Sequence, residues 1–270
     1  MKAVIPAAGL GSRFLPATKA IPKEMLPVVD KPVIQYIVEE GLASGADEVV
    51  IVNSREKQAI EKHFSPDPEL VELLRSRGKN SYADAVEAAG NLNVSYVYQD
   101  EPLGLGHAVH CAAEKVGSEP FYVLLGDVVV PDNQMLIRMK AVSEAHGGAS
   151  VIAVMAVPEE EVSRFGVIAG SAVTDNVWKI DSLVEKPPLE EAPSNLAVFG
   201  RYLLSPRVME LLADVKPGAG GEIQLTDALD AVLQEEEMYA LIVDPKEGFD
   251  TGTIASWLET NQILFARAQA

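Results

Sequence analysis

Glycines and basic side chains lie together near the start of the chain, where they could bind a polyanion. Gly9 and Gly11 follow a short apolar run, and Arg13, Lys19 and Lys23 come soon after them. Because glycine has no Cβ, several backbone N–H groups can converge on one phosphate in such a loop. The basic side chains would supply fixed charge to the same oxygens. The segment therefore favours phosphate binding over a simple surface turn, which Gly-x-Gly alone would also allow.

Two common phosphate-binding motifs do not match this loop. A dinucleotide-binding fingerprint requires a third glycine three positions after the second, where this chain has Phe14. A P-loop requires Gly-Lys-Ser/Thr five residues after its first glycine, where this chain has Phe14-Leu15-Pro16. Pro16, Pro22 and Pro27 favour a long structured loop over an immediate helix. The loop must therefore bind phosphate by another arrangement.

Charge is distributed unevenly along the chain. The 270 residues carry a formal net charge of −18, yet residues 1–31 contain five basic side chains and only two acidic ones. A basic loop in an acidic body is typical of a local anion-binding site, whereas chance clustering of surface lysines is the alternative. The acidic remainder would repel nucleic acids and anionic membranes. We therefore expect no nucleic acid and no membrane among the partners.

Strands and helices are expected to alternate around this loop. The predicted strands cover residues 3–5, 48–52, 94–99, 121–130, 149–157 and 239–243. The predicted helices cover residues 33–44, 54–64, 107–116 and 134–146, with a last helix from residue 254. This order predicts a doubly wound α/β sheet that binds ligands at the carboxyl ends of its strands. Gly104 follows the strand that ends at Gln99, so its backbone amide should lie at that edge.

Two carboxylates stand out by their positions. Asp127 lies within the most apolar predicted strand, and Asp250 comes just before the last helix. An unpaired buried carboxylate is costly, so Asp127 should be paired, hydrogen-bonded or bound to a metal ion. A satisfied core aspartate is the plainer alternative for a single residue of this kind.

Overall organisation is expected to be simple. No apolar run reaches the roughly 18 residues that a membrane helix requires, and Pro6 and Gly9 interrupt the N-terminal apolar stretch before it could act as a signal sequence. We therefore expect a cytoplasmic protein. The length suits one domain over residues 1–252, with a helix over residues 253–270 that packs on the same domain or on a partner subunit. Apolar side chains in that helix suggest a homodimer or homotetramer.

The loop and several later segments resemble one enzyme family. The run from Gly9 to Pro27 is similar to the signature loop of the sugar-1-phosphate nucleotidyltransferases, and its Lys-Ala-Ile-Pro-Lys-Glu-Met-Leu-Pro half resembles the bacterial UTP:glucose-1-phosphate uridylyltransferase branch. Similar segments follow in matching order at residues 99–108, 126–128, 165–168, 183–188, 195–202, 218–229 and 249–252. The resemblance implies a Rossmann-like, doubly wound α/β fold with a mixed, mostly parallel sheet and helices on both faces.

The same resemblance implies roles for individual residues. Lys23 would contact phosphate in the transition state, and Arg13 would bind the departing pyrophosphate. Asp127 and Asp250 would share one Mg²⁺. The nucleotide would be bound by Ala8, Gly9, Leu10, Gly11, Glu24, Gln99 and Gly104. The sugar phosphate would be bound by Gly166, Glu185, Lys186 and Asn195. His107 is expected to have a structural role at the start of a helix.

The implied reaction transfers UMP from UTP to glucose 1-phosphate, giving UDP-glucose and pyrophosphate. The attacking sugar phosphate is already an anion, so the protein needs no general base and would act by positioning and by neutralising charge. Two alternatives remain at this point: a glucose-1-phosphate thymidylyltransferase that uses dTTP, and a non-catalytic subunit that binds sugar nucleotides. Retention of both basic residues and both carboxylates speaks against the second.

Overall fold

Strands and helices alternate over most of the chain, as the sequence predicted, but the three strands between residues 166 and 204 follow one another without an α-helix. The computed structural model describes residues 1–218 and 221–269. Its strands are β1 (Lys2–Pro6), β2 (Pro27–Val28), β3 (Lys31–Pro32), β4 (Glu48–Asn53), β5 (Val94–Tyr98), β6 (Phe121–Leu124), β7 (Val128–Val129), β8 (Ser150–Ala156), β9 (Gly166–Ala172), β10 (Val177–Glu185), β11 (Leu196–Leu204), β12 (Met238–Ile242) and β13 (Phe249–Asp250). Its helices are α1 (Val33–Ala43), α2 (Gln58–His63), α3 (Pro68–Ser76), α4 (Asn80–Gly90), α5 (Leu105–His110), α6 (Ala113–Val116), α7 (Gln134–Ala145), α8 (Pro206–Leu212), α9 (Leu225–Val232) and α10 (Ile254–Ala268).

One central sheet of nine strands organises the described residues, in the order β5-β4-β1-β6-β11-β8-β12-β10-β9. The strands β5, β4, β1 and β6 pair in parallel, and so do β8 and β12. Only β10 and β11 run against the common direction of this sheet. The expected doubly wound, mixed and mostly parallel sheet is therefore confirmed.

Both faces of the sheet are covered. Along β1, Ala3 and Ile5 point into a core shared with α1, α7 and α10. Val4 points the other way, into a core shared with α5, α8 and α9. Because both faces are buried, the central strands read as continuous apolar runs rather than as alternating ones. No helix in the described part of the chain combines the length and apolarity that a membrane span requires.

The apolar run over residues 121–130 was predicted as one strand, and this prediction was wrong. The sheet strand β6 ends at Leu124, the chain turns with a hydrogen bond from the Val128 amide to the Leu125 carbonyl, and β7 then leaves the main sheet. There β7 pairs antiparallel with β13, which places Val128 opposite Asp250. The pairing partner, not the apolar character of the run, decides where the strand ends. Asp127 consequently lies in a turn beside β13.

Two helix boundaries also differ from the prediction. The helix expected over residues 54–64 begins only at Gln58, because residues 54–57 form a turn in which the Lys57 amide donates to the Ser54 carbonyl. The helix expected over residues 107–116 begins two residues earlier, at Leu105, and is divided into α5 and α6. The Asn53 side chain at the end of β4 donates to the Lys57 carbonyl, which holds this turn against the sheet.

The last helix packs against two segments near the start and end of the chain. Trp257 Nε1 on α10 donates to the Pro27 carbonyl at 3.0 Å, and Asn261 Oδ1 accepts from the Val29 amide at 2.9 Å. Val29 has a φ of 57°, which a β-branched residue rarely adopts, so this hairpin between β2 and β3 depends on such outside support. Thr260 Oγ1 donates to the Asp250 carbonyl at 3.0 Å.

An ion pair buried in the sheet supports the turn that carries Asp127. Arg201 on β11 has no exposed surface, and its guanidinium donates to both carboxylate oxygens of Glu40 on α1, with a shortest distance of 2.8 Å. The same guanidinium donates to the Val128 carbonyl at 2.7 Å and to the Gly200 carbonyl at 3.1 Å. Arg201 therefore fixes the chain immediately after Asp127 from behind.

Replacing Arg201 should be severely destabilising. Arg201→Met leaves Glu40 as an uncompensated buried carboxylate, so the free energy of unfolding measured in urea should fall by about 3 to 5 kcal/mol. The double variant Arg201→Met/Glu40→Leu should recover part of that loss, because it removes both charges. Arg207→Met, which removes an arginine paired with Glu210 and Glu235 on the surface, is the control and should leave the unfolding midpoint nearly unchanged. If Arg201→Met and Arg207→Met lost equal stability, the structural role of the buried Arg201–Glu40 pair would be contradicted.

Candidate active site

A cleft opens where β1, β5 and β6 end. It contains a cavity of about 430 Å³. Every residue predicted to bind the nucleotide lines this cavity, namely Ala8, Gly9, Leu10, Gly11, Glu24, Gln99 and Gly104. Lys23 and Asp127 line it as well. The tertiary structure thus brings together segments that are up to 216 residues apart in the sequence, from Pro6 to Glu222.

The glycine-containing loop folds back on itself through three short 3-10 turns, at Ser12–Phe14, Ala17–Lys19 and Lys23–Met25. Gly11 has a φ of 64°, and a Cβ on it would lie 3.3 Å from the Lys23 Cβ. Its carbonyl accepts a hydrogen bond from Thr18 Oγ1 at 2.8 Å. Glycine is needed here because a left-handed backbone and a close neighbour coincide. The result places Lys23 beside the loop's backbone.

Lys23 and Asp127 form an ion pair across the cleft. Lys23 Nζ donates to Asp127 Oδ2 at 2.8 Å, and both side chains are mostly buried. Burial by itself would raise the pKa of Asp127, but the nearby charges of Lys23 and Arg13 hold it below its usual value. Burial would likewise lower the pKa of Lys23, but Asp127 and Glu24 keep it above its usual value. Both groups are therefore charged at neutral pH.

Asp127 and Asp250 converge at Gly252. Thr251 donates from its amide and from Oγ1 to the Asp127 carbonyl, at 2.7 and 2.9 Å, which holds the two segments together. A Cβ built on Gly252 would lie 2.9 Å from Asp250 Oδ1, 3.3 Å from Asp127 Oδ2 and 3.5 Å from Arg13 Nη1. The two carboxylates therefore face one small space, and Arg13 borders it.

This pair of carboxylates suits a hard divalent cation. Mg²⁺ takes oxygen ligands and usually keeps several waters or substrate oxygens in its shell, so one or two protein carboxylates suffice. Among residues 1–218 and 221–269, no cluster of three or more His, Cys, Asp or Glu side chains forms a fuller site. A closed structural metal centre is thus not what this geometry resembles.

The wall opposite the glycine loop is formed by two paired segments. The Leu103 carbonyl accepts from the Ile223 amide at 2.7 Å, and the Gly106 amide donates to the Ile223 carbonyl at 2.8 Å. Gly104, between them, has a φ of 105°, and a Cβ on it would lie only 2.7 Å from the Ile223 carbonyl oxygen. Gln99 Nε2 donates to the Gly104 carbonyl at 3.1 Å, which fixes the amide group at the cavity.

Two neighbouring positions complete this wall. Gln99 Nε2 also lies 3.0 Å from His107 Nδ1, so His107 orients Gln99, in keeping with the structural role expected for it. Glu222 lines the cavity, although the sequence indicated only the segment that contains it. Ala219 and Gly220, which belong to the same resembling segment, lie outside the described residues.

The residues predicted to bind the sugar phosphate lie at the ends of three strands: Gly166 begins β9, Glu185 ends β10 and is followed by Lys186, and Asn195 directly precedes β11. Gly166 pairs with Glu185 in the register of β9 and β10. Glu185 Oε2 accepts from Thr226 Oγ1 at 2.8 Å, and Glu185 Oε1 lies 3.1 Å from Lys186 Nζ. Lys186 has a φ of 46°, an uncommon conformation outside glycine. The Asn195 side chain instead donates to the Val157 carbonyl at 3.1 Å, so in this structure it joins β11 to the end of β8.

Sequence reasoning missed Lys57 altogether. Its ammonium group contacts Glu24 and the Ala7 carbonyl, both next to the cavity. Nothing around Lys57 in the sequence distinguished it from an ordinary charged residue near a helix start. Thr226, which holds Glu185, was likewise visible only as part of a resembling segment.

Comparison with known proteins identifies the family. The family model described as nucleotidyl transferase matches residues 2–266. The chain belongs to the nucleotidyl transferase family. This confirms the family expected from the loop and from the order of the later segments.

Relatives within this family are similar over nearly the whole chain. A UTP–glucose-1-phosphate uridylyltransferase of Bacillus subtilis (strain 168) is 45% identical over 260 residues, which is 96% of this chain and 89% of that protein. A second protein of that organism, UTP–glucose-1-phosphate uridylyltransferase YngB, is 49% identical over 245 residues, 90% of this chain and 82% of that protein.

Solved structures also match nearly the whole length of the chain. A UDP-glucose pyrophosphorylase complexed with UDP-glucose has a TM-score of 0.86 and 38% identity, with 98% of each chain covered. A UTP-bound UGPase from Acinetobacter baumannii has a TM-score of 0.88 and 37% identity, with 97% of this chain and 92% of that chain covered. The nucleotidyl transferase family therefore accounts for both the sequence pattern and the fold.

The crowded glycine in the cleft wall provides a test of this site. Gly104→Ala should push residues 103–106 away from Ile223 and raise the Kd for UTP, the nucleotide that the resemblance implies, by roughly tenfold, or about 1.4 kcal/mol. Titration calorimetry would measure the Kd. Gly45→Ala is the matched control: Gly45 has a φ of 92°, but a Cβ there would meet no described atom within 4 Å. If the Kd changed equally in both variants, the weaker binding would result from backbone strain and not from displacement of the cleft wall.

Proposed function

We propose that the protein transfers UMP from UTP to glucose 1-phosphate and releases UDP-glucose and pyrophosphate. The observation that carries this proposal is the cleft, in which the glycine loop, Lys23 and Asp127 line one cavity together with Gln99 and Gly104. The uridylyltransferase names of the relatives, and the UDP-glucose and UTP found in two similar structures, support the choice of substrates.

The nucleotide is proposed to lie between the glycine loop and the wall opposite. Backbone amides near Gly9 and Gly11 would donate to phosphate oxygens, and a Cβ on Gly9 would meet no described atom within 4 Å, which leaves room for a phosphate. Gln99 and Gly104 would face the uracil, and Ala8, Leu10 and Glu24 would lie on its other side. Burial of these polar groups in the cleft would make a poorly matched base unfavourable.

The chemistry would proceed by in-line displacement at the α-phosphorus. An oxygen of the sugar phosphate forms the new bond to the α-phosphorus, while the bond from the α-phosphorus to the pyrophosphate oxygen breaks. Lys23 and Arg13 would stabilise the charge that builds up on the transferred and departing phosphates. The protein's contribution is to hold two anions in line and close together, which water does not do.

Asp127 and Asp250 are proposed to hold Mg²⁺ through the two oxygens that face the space at Gly252. When bound, the ion would supply positive charge between the phosphates of the two substrates. The ion pair with Lys23 keeps Asp127 ionised, but Lys23 Nζ donates to Oδ2, the same oxygen that faces the space at Gly252, so the ammonium group would share that oxygen with the ion or move away from it.

Glu185 and Lys186 are proposed to bind the sugar and its phosphate, together with Gly166 and Asn195. Glu185 is held by Thr226 and could accept from sugar hydroxyls, whereas Lys186 would bind the phosphate. For Asn195 to take part, its amide would have to give up or share the hydrogen bond to Val157.

Location and assembly are proposed from the sequence. We expect a cytoplasmic protein with one nucleotidyltransferase domain over residues 1–252 and a terminal helix over residues 253–270. Ile254, Leu258 and Phe265 are each more than half exposed on α10, which supports a homodimer or homotetramer built on this helix.

An assay of pyrophosphate release would test the reaction directly. The enzyme is incubated with UTP, dTTP, CTP, ATP or GTP, each combined with glucose 1-phosphate, galactose 1-phosphate or mannose 1-phosphate. The highest kcat/KM is expected for UTP with glucose 1-phosphate. A clear preference for dTTP would indicate a thymidylyltransferase, and no release with any pair would indicate a binding subunit.

Removing either carboxylate should remove metal-dependent turnover. Asp127→Asn and Asp250→Asn keep the shape of the side chain but not its charge, so each folded variant should lose most of its kcat, and chelation by EDTA should do the same to the native enzyme. Because both residues would act through one ion, the double variant should lose little more than either single variant. Additive losses would show that the two residues do not share a site.

Lys186→Ala should separate the two substrates. The KM for glucose 1-phosphate should rise by roughly tenfold, or about 1.4 kcal/mol, while the Kd for UTP alone stays near the native value. The control is Lys179→Ala, which removes a lysine of the same strand region that pairs with Glu237 on the surface. Equal weakening of both substrates would mean that the Glu-Lys-Pro segment is a structural brace.

A further inference from the structure

Lys57 joins the residue that precedes the glycine loop to Glu24 near the end of that loop. Its Nζ donates to Glu24 Oε2 at 2.9 Å and to the Ala7 carbonyl at 2.5 Å. The three residues come from the start of α2, from the turn that contains Lys23, and from the point where the chain leaves β1. The Lys57 side chain is only 12% exposed, and that of Glu24 is fully buried.

Of the two residues that Lys57 holds, Glu24 lines the cavity, and Ala7 lies between two residues that do, Pro6 and Ala8. Ala7 precedes the glycine loop, and its amide donates to the Val52 carbonyl, so one side of the residue is fixed to β4 and the other to Lys57. Glu24 lines the cavity, and its Cγ lies 3.5 Å from the place that a Cβ on Gly126 would take. The ammonium group of Lys57 therefore helps to fix the distance between the start of the glycine loop and the Lys23–Glu24 turn.

Lys57 is also the main counter-charge for Glu24. Burial raises the pKa of Glu24, and Lys57 is the largest influence that opposes this rise. Burial lowers the pKa of Lys57, and Glu24 opposes that change in turn. Glu24 Oε1 has no hydrogen-bond partner among the described residues, so the carboxylate depends on Lys57 to keep its place and charge.

We propose that Lys57 is a positioning residue for the nucleotide, acting by fixing the distance and orientation between Glu24 and the start of the glycine loop. This rests on the proposed function, because it assumes that Glu24 and the start of the glycine loop together form one side of the UTP site. Lys57 itself touches no reacting group. Its loss would let Glu24 and the start of the glycine loop shift relative to each other, and the free energy of UTP binding would then have to restore their arrangement.

The experiment is titration calorimetry of UTP with the Lys57→Met protein, accompanied by thermal unfolding. The Kd for UTP should rise by roughly tenfold, while the KM for glucose 1-phosphate, whose proposed residues lie at or beside the ends of β9, β10 and β11, should change less than about twofold. A purely structural role would lower the fraction of protein that binds, seen as reduced stoichiometry, but would leave the Kd of that fraction unchanged.

Two further variants make the comparison robust. Lys57→Arg keeps a cationic donor and should retain most of the affinity, whereas Lys57→Gln keeps a donor for Ala7 but no charge for Glu24 and should bind UTP more weakly. Lys57→Gln replaces Lys57→Met if the latter does not fold. The matched control is Lys2→Met, which removes a partly buried lysine that pairs with Glu48 at 2.9 Å at the opposite end of β1, and its Kd should equal the native value.

The outcomes separate this proposal from the proposed function. If the native protein does not bind UTP, the proposed function fails. If the native protein binds UTP and Lys57→Met or Lys57→Gln binds it with the native Kd, only the positioning role of Lys57 is wrong. A Kd that rises as much in Lys2→Met as in the Lys57 variants would also overturn the proposal, because the effect would then be a general one of losing a buried charge.

Discussion

The ion pair between Lys23 and Asp127 is the contact on which the cleft depends. It joins the loop after β1 to the turn after β6, and it does so inside a cavity where an unpaired charge of either sign would be costly. Pairing keeps both groups ionised without exposing them.

The rest of the structure supports this pair from three directions. Arg201, neutralised by Glu40, holds the carbonyl of Val128 and so fixes the turn from inside the sheet. Thr251 holds the Asp127 carbonyl, and α10 in turn holds the segment around Thr251. Lys57 holds the residue next to Lys23. Each support comes from a different part of the chain, so the geometry of the site is a property of the whole domain.

Sequence alone determined the features that depend on local chemistry. Closely spaced glycines and prolines near the start of the chain favour a structured loop over a helix, as the structure has it. Apolar runs of strand or helix length likewise indicate most of the sheet strands and the longer helices. The order of these elements limits the fold to a doubly wound sheet, because parallel strands require crossover helices. The loop and the later segments resemble one family, and that resemblance indicated which residues to expect at the site.

Tertiary structure alone decided which of those residues meet. Asp127 and Asp250 face one space because β7 leaves the sheet to pair with β13, and the apolar run over residues 121–130 contains no sign of that break. The pairs Lys57–Glu24 and Arg201–Glu40 each join residues far apart in the sequence. In the sequence, neither Lys57 nor Arg201 can be distinguished from a lysine or arginine on the protein surface. Such contacts depend on which strands become neighbours, and burial then decides which charged groups must find each other.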